Sequence, residues 1–104
     1  MANGILGQAA PNAITNTTVY TVPASTTATF CVNICNRGGS SMAVRLAIAS
    51  TGTPTDSEWL EYDTVLPPNG ILERTGLVAQ ATKNVVVYFS TIQGSVSVYG
   101  FEEA

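Results

Sequence analysis

Seven carboxylates could do acid–base chemistry in this chain of 104 residues: Asp56, Glu58, Glu61, Asp63, Glu73, Glu102 and Glu103. There is no histidine, so neither a Ser-His-Asp nor a Cys-His nucleophile can be assembled. Glu61 and Asp63 stand two residues apart. On one strand they share a face at roughly 7 Å, a spacing open to glycoside hydrolysis. With Asn or carbonyl oxygens the same two could help hold Ca²⁺, but the Asp-x-Asp-x-Asp-Gly loop is missing. Nothing beside them in the sequence raises a carboxyl pKa. They read as a solvated strand face with Arg74 as an ion-pair partner. No catalytic residue, no metal ligand and no cofactor is assigned.

Cys31 and Cys35 are the only thiols. Four residues along a strand span roughly 13 Å, whereas a disulfide needs Cα atoms within about 7 Å. On one strand the two cannot pair with each other, and free thiols indicate folding in a reducing cytoplasm. A zinc site would need His or further Cys. Gly38-Gly39 lacks the downstream Lys-Ser/Thr of a phosphate loop. Tyr20, Trp59, Tyr62, Tyr88, Tyr99 and Phe101 read mainly as core and cross-strand packing. Trp59, after the polar stretch 50–57, is expected to be the most exposed and to suit a protein or glycan partner.

The elements that hold these residues are strands. Ala28, Phe30, Val32 and Ile34 alternate with Thr29, Cys31, Asn33 and Cys35. After the turn 36–41, Met42, Val44, Leu46 and Ile48 alternate with Ala43, Arg45, Ala47 and Ala49. Period-two alternation around Gly-Gly predicts two half-buried strands joined as a hairpin. Further strands are expected at 17–22, 58–65, 71–78, 84–92 and 95–101, separated by turn residues such as Pro67-Pro68-Asn69-Gly70. Gly76 inside 71–78 suggests a bulge or a close backbone approach. Val85-Val86-Val87, apolar on both faces, marks a central strand. Asp56 is an acceptable cap for a short helical turn, although a strand from 58 is preferred.

Composition agrees. Only 11% of residues are charged, while 14 are Thr and 11 are Val, a β-branched load that favours strands. The length allows one domain. The net charge is −3 and the four basic residues Arg37, Arg45, Arg74 and Lys83 are scattered, which argues against nucleic acid. The apolar runs are too short for a membrane helix. Residues 1–7 do not resemble a secretory signal. The expectation is a single all-β domain: a seven-stranded antiparallel β-sandwich over 17–104, immunoglobulin-like or jelly-roll-like, preceded by an extended arm over 1–16.

Several segments, in order, resemble a family of small tailed-phage virion proteins, including those of cyanobacterial phages. They are Leu6-Gly7-Gln8-Ala9-Ala10-Pro11, Val19-Tyr20-Thr21-Val22-Pro23-Ala24, Cys35-Asn36-Arg37-Gly38, Glu61-Tyr62-Asp63, Leu72-Glu73-Arg74-Thr75-Gly76-Leu77 and Val98-Tyr99-Gly100-Phe101-Glu102. The resemblance implies a non-enzymatic virion component assembled in the host bacterial cytoplasm. The first expectation is a capsid decoration (cement) protein that binds the major capsid protein and self-associates as a trimer. The second is a tail, baseplate or fibre module that attaches to tail proteins or host glycans. No nucleic-acid or membrane partner is expected. The expected interface is Ile5, Leu6, Gln8 and Pro11 on the arm, with Trp59 on the domain. As a clamp, the arm would be separable, so that removing 2–14 leaves the sandwich folded.

Overall fold

The computed structural model describes residues 2–104. Eight strands follow one another: β1 (Asn3–Ala9), β2 (Thr17–Thr21), β3 (Thr27–Asn36), β4 (Met42–Ala49), β5 (Trp59–Leu66), β6 (Ile71–Ala79), β7 (Asn84–Phe89) and β8 (Gly94–Glu103). They form two four-stranded antiparallel sheets packed face to face, β1-β8-β3-β6 and β2-β7-β4-β5. The all-β expectation holds. The count of seven does not, because Asn3–Ala9, expected in a free arm, is paired with β8. Met1, the first residue of that arm, lies outside the described residues.

The alternation in β3 and the first half of β4 is as the sequence predicts; farther along β4, Ile48 is only half-buried, while Ala47 and Ala49 on the opposite face are fully buried beneath Trp59. Phe30, Val32, Ile34, Met42, Val44 and Leu46 are all buried. The predicted hairpin is not formed: β3 pairs with β6 and β8, and β4 with β5 and β7. The chain crosses between the sheets at 37–41, so the two apolar faces meet across the core instead of lying side by side. Of all the consecutive strands, β4 and β5 alone are paired. β7 is central, as its valines predict, with Val85 and Val87 in the main core and Val86 on the outer side. Stacked sheets stand about 10 Å apart, and the core fills that gap with Phe30, Phe89, Ile34, Met42 and the valines.

Two devices set the register. Gly76 adopts φ +68 where the β3–β6 pairing shifts between Phe30 and Val32, the bulge expected from a glycine within a strand. β5 is bulged opposite β4: Val44 faces Thr64 and Leu46 faces Glu61, so Tyr62 and Asp63 together oppose Arg45. Asp63 takes φ +54 there, a left-handed conformation that Asp tolerates better than most residues.

Side chains tie the sheets together along the open margins of the sandwich. Arg74 of β6 donates to Glu61 Oε2 of β5 at 2.5 Å, and Thr64 Oγ1 donates to Glu61 Oε1 at 2.7 Å. The Thr64 hydroxyl, more than the Arg74 guanidinium, holds the Glu61 carboxyl below its usual range. Elsewhere, the Tyr20 hydroxyl of β2 donates to Glu102 of β8.

Candidate functional site

The bulge in β5 separates the two carboxylates that the sequence places on one face. Glu61 turns to the sheet margin and Arg74. Asp63 turns to the outer face of the second sheet, where Arg45 Nε donates to its Oδ1 at 2.6 Å. The Arg45 hydrogen bond holds the Asp63 carboxyl low, and Arg45 is raised in turn. Both carboxylates are stabilised in their charged forms: hydrogen bonds from Thr64 to Glu61 and from Arg45 to Asp63 outweigh the opposing effect of desolvation, which is the reverse of what a general acid needs. The geometry offers no hydrolytic pair. Among the described residues, no three His, Cys, Asp or Glu side chains converge, and no helix is long and apolar enough to cross a membrane.

The five expected interface residues do not form one surface. Ile5 is 58% exposed and lies on the outer face of the first sheet, in register with Tyr99. Gln8 is exposed on the same face, with its Nε2 donating to Ser97 Oγ at 3.2 Å. Leu6 falls at the register shift between Ile5 and Gly7 and packs against the core. Pro11 is buried. Trp59 is on the other sheet and only half-buried, less open than its polar flank suggests. The arm reading fails because β1 supplies the fourth strand of its sheet, and an edge strand with an inward Leu is not a free clamp.

Two surfaces replace the expected one. The first is the outer face of β1-β8-β3-β6. Register places Val78, Thr29 and Phe101 in one row, Cys31, Tyr99 and Ile5 in the next, then Glu73, Asn33, Ser97 and Gln8, then Ile71, Cys35 and Ser95. Ile71 and Val78 are 65% and 60% exposed. None of the four basic residues lies on this face. Arg37 donates to Ile92 O, Arg45 pairs with Asp63, Arg74 with Glu61, and Lys83 reaches Ser50 Oγ. Its acidic residues are Glu73 within the rows, bound by the Tyr99 hydroxyl at 2.5 Å, and Glu103 at the end of β8. The Tyr99 phenol, hydrogen-bonded to that carboxylate, is pushed up to about 12. Cys31 and Cys35 are free and half-buried here. The face is broad and mixes apolar, hydroxyl and amide side chains, and its Glu73 carboxylate already accepts from the Tyr99 hydroxyl.

The second surface is an aromatic cluster on the outer face of β2-β7-β4-β5. The guanidinium carbon of Arg45 lies 4.2 Å from the Tyr62 ring centroid and 4.3 Å from that of Tyr88, in cation–π contact. Trp59 meets Tyr62 edge to face, with centroids 5.4 Å apart at 73°, and covers Ala47, Ala49 and Val86. A short 3-10 turn, Asp56–Glu58, leads into Trp59. Thr55, not Asp56, stands at its N-cap. The Glu58 carboxylate accepts from Thr55 N at 2.8 Å and from Ser50 N at 3.0 Å, closing the loop on itself. These backbone bonds, Thr55 first, hold Glu58 below its usual pKa. Asp56, Trp59 and Tyr62 line a shallow concavity of about 370 Å³. A second hollow of about 480 Å³ lies in the turn 37–40 beside Thr91 and Gln93.

The aromatic types were legible in sequence, but Arg45 as their organiser was not. Its outward position follows from the alternation in β4. Its neighbours follow only from the strand order and from the bulge that swings Asp63 towards it. Comparison of the chain with family models, curated proteins and solved structures finds no match.

Proposed function

We propose that this chain is a non-enzymatic structural protein of a phage particle, a decoration protein that lies against the major capsid protein with the outer face of its first sheet. One observation carries the reading: a four-stranded face without a basic residue, on which Ile5, Ile71, Val78 and Phe101 stay exposed. Phe101 and Ile5 stand on neighbouring strands in adjacent rows, with Val78 and Ile71 farther out on the same face, and exposed apolar side chains gathered on one face favour protein–protein contact. The molecule measures 42 × 27 × 20 Å, and a face of that breadth suits docking on a lattice. The order β1-β8-β3-β6 over β2-β7-β4-β5 has the connectivity of an eight-stranded jelly roll, an architecture shared by virus coats and lectins. By analogy of architecture, that likeness supports a coat role. Self-association as a trimer about a capsid symmetry axis is part of the proposal, as is assembly in a reducing cytoplasm with Cys31 and Cys35 unoxidised.

The test is copy number in purified particles, by quantitative mass spectrometry against the major capsid protein. A ratio of one to a small integer supports decoration. A ratio below roughly one to ten departs from lattice occupancy and moves the chain to the tail, baseplate or fibres. Iodoacetamide labelling adds a readout of the face itself. Cys31 and Cys35 are expected to label in the free protein and to be protected on the particle. Equal labelling in both states would remove the first sheet as the docking surface.

A further inference from the structure

The concavity beside Trp59 belongs to the sheet opposite the proposed docking face and has features that docking does not use. We infer that Asp56, Trp59 and Tyr62 form a subsite for one ring of a neutral saccharide.

The chain has a single tryptophan, and the fold holds it still. One side of the indole rests on Ala47, Ala49 and Val86, Tyr62 meets it edge to face, and the loop before it is closed by the Glu58 carboxylate. A rigid aromatic platform binds at little entropic cost. Its remaining surface opens on a hollow of about 370 Å³, enough for one sugar ring. At the rim, Asp56 accepts no hydrogen bond from another described residue and lines the hollow. A carboxylate is acceptor-only when ionised, with two oxygens that suit adjacent hydroxyl donors.

The alternative chemistries fit less well. An organic cation would seek the aromatic faces and the Asp56 charge. Arg45 already stacks on Tyr62 and stands 6.0 Å from the Trp59 centroid, so the aromatic faces a second cation would seek are already engaged by one. A purely apolar ligand would leave Asp56 desolvated and unpaired, which is costly. An anion would meet Asp56 head on, because the Arg45 charge is spent on Asp63. A pyranose has an apolar C–H face for the negative face of the indole and equatorial hydroxyls for the carboxylate. The inference stands apart from the coat reading, since it uses the other sheet and no residue of the docking face.

The sole tryptophan makes the test direct. The whole protein is titrated with maltose, lactose, cellobiose and chitobiose while Trp59 emission is followed. At least one disaccharide is expected to give a saturable shift with a dissociation constant of about 1 mM, as suits a small open site. Asp56→Ala, at an exposed position of the short 3-10 turn, is expected to weaken that binding about tenfold or more with an unchanged circular dichroism spectrum. Tyr62→Ala, which removes one wall, provides a second variant should the loop change shape. A linear, unsaturable response to all four sugars would overturn the inference. So would a saturable response to choline chloride alone, or titrations left intact by both variants.

Discussion

Asn36 is the buried polar side chain on which the crossing between the sheets depends. It is 1% exposed. Its Nδ2 donates to Ser40 O at 2.8 Å, Leu66 O at 3.1 Å and Pro67 O at 3.2 Å, and its Oδ1 accepts from Gly38 N at 2.9 Å. One amide therefore ties the end of β3 to its own turn and to the β5–β6 turn. Asn36→Leu keeps the volume and orphans these groups. It is expected to cost about 2 kcal/mol, read as roughly 10 °C in Tm by thermal denaturation. A change of under 2 °C would show that water replaces the amide. Gly100 answers to sterics instead. A Cβ there would stand 2.1 Å from Thr29 O and 2.7 Å from Phe30 Cα, both backbone, at φ +155. Gly100→Ala is expected to destabilise by about 2 kcal/mol or more, since neither neighbour can rotate away. Gly39→Ala, with nothing within 4 Å of its Cβ, is the matched control and should melt like the parent.

At the level of elements, β1 is the piece that changed meaning. As a free arm it could be removed at no cost to the fold. As a strand it pairs with β8 over six positions, from Asn3↔Phe101 to Ala9↔Val96, and places Leu6 and Ala9 against the core. Deleting residues 2–14 is expected to lower Tm by more than 10 °C, from lost apolar burial. It also bares the β8 edge, and the truncated chain is expected to associate through it. Melting and size-exclusion chromatography read both effects; an unchanged elution volume with parental Tm would restore the arm reading. β5 shows the opposite logic. It is an edge strand too, but its bulge at Tyr62-Asp63 and its two ion-paired carboxylates, Glu61 and Asp63, blunt that edge against pairing. The same bulge makes the aromatic cluster, so edge protection and site geometry have one cause.

For the whole molecule, charge is spent on closing the sandwich and its loops. The carboxyls of Glu58, Glu61, Asp63 and Glu102 are all held below their ordinary values; for Glu102 the main cause is the Tyr20 hydroxyl. A carboxyl with a depressed folded pKa contributes stability that is complete above its unfolded value and is lost as pH falls through the folded one. Unfolding midpoints in urea are therefore expected to be flat at neutral pH and to fall below about pH 4.5. Glu61→Gln should soften that acid limb, and an identical limb would exclude the Glu61 latch from it. Tyr20 and Tyr99 have the opposite sign. Desolvation of Tyr20 and the hydrogen bond from Tyr99 to Glu73 raise both phenols above 10. Their stability is present below pH 10 and is lost only as pH rises through the raised values.

The sequence by itself determined seven of the eight strands. Alternation in β3 and β4, the apolar run of β7, the Pro-Pro-Asn-Gly turn and the Gly76 bulge are local patterns, and local sterics and burial enforce them wherever the strands go. It determined as well that Trp59 follows the polar stretch 50–57. Pairing was beyond it. A Gly-Gly turn of five residues can link neighbours in one sheet or cross to the other, and only the fit of two apolar faces across a shared core decides between them. The same holds for β1, whose small residues carry no periodic signal and which becomes a strand because β8 offers a free edge. The partners of Arg45, the separation of Glu61 from Asp63 and the basic-free face of the first sheet are long-range consequences of that choice, set when the two sheets close on each other.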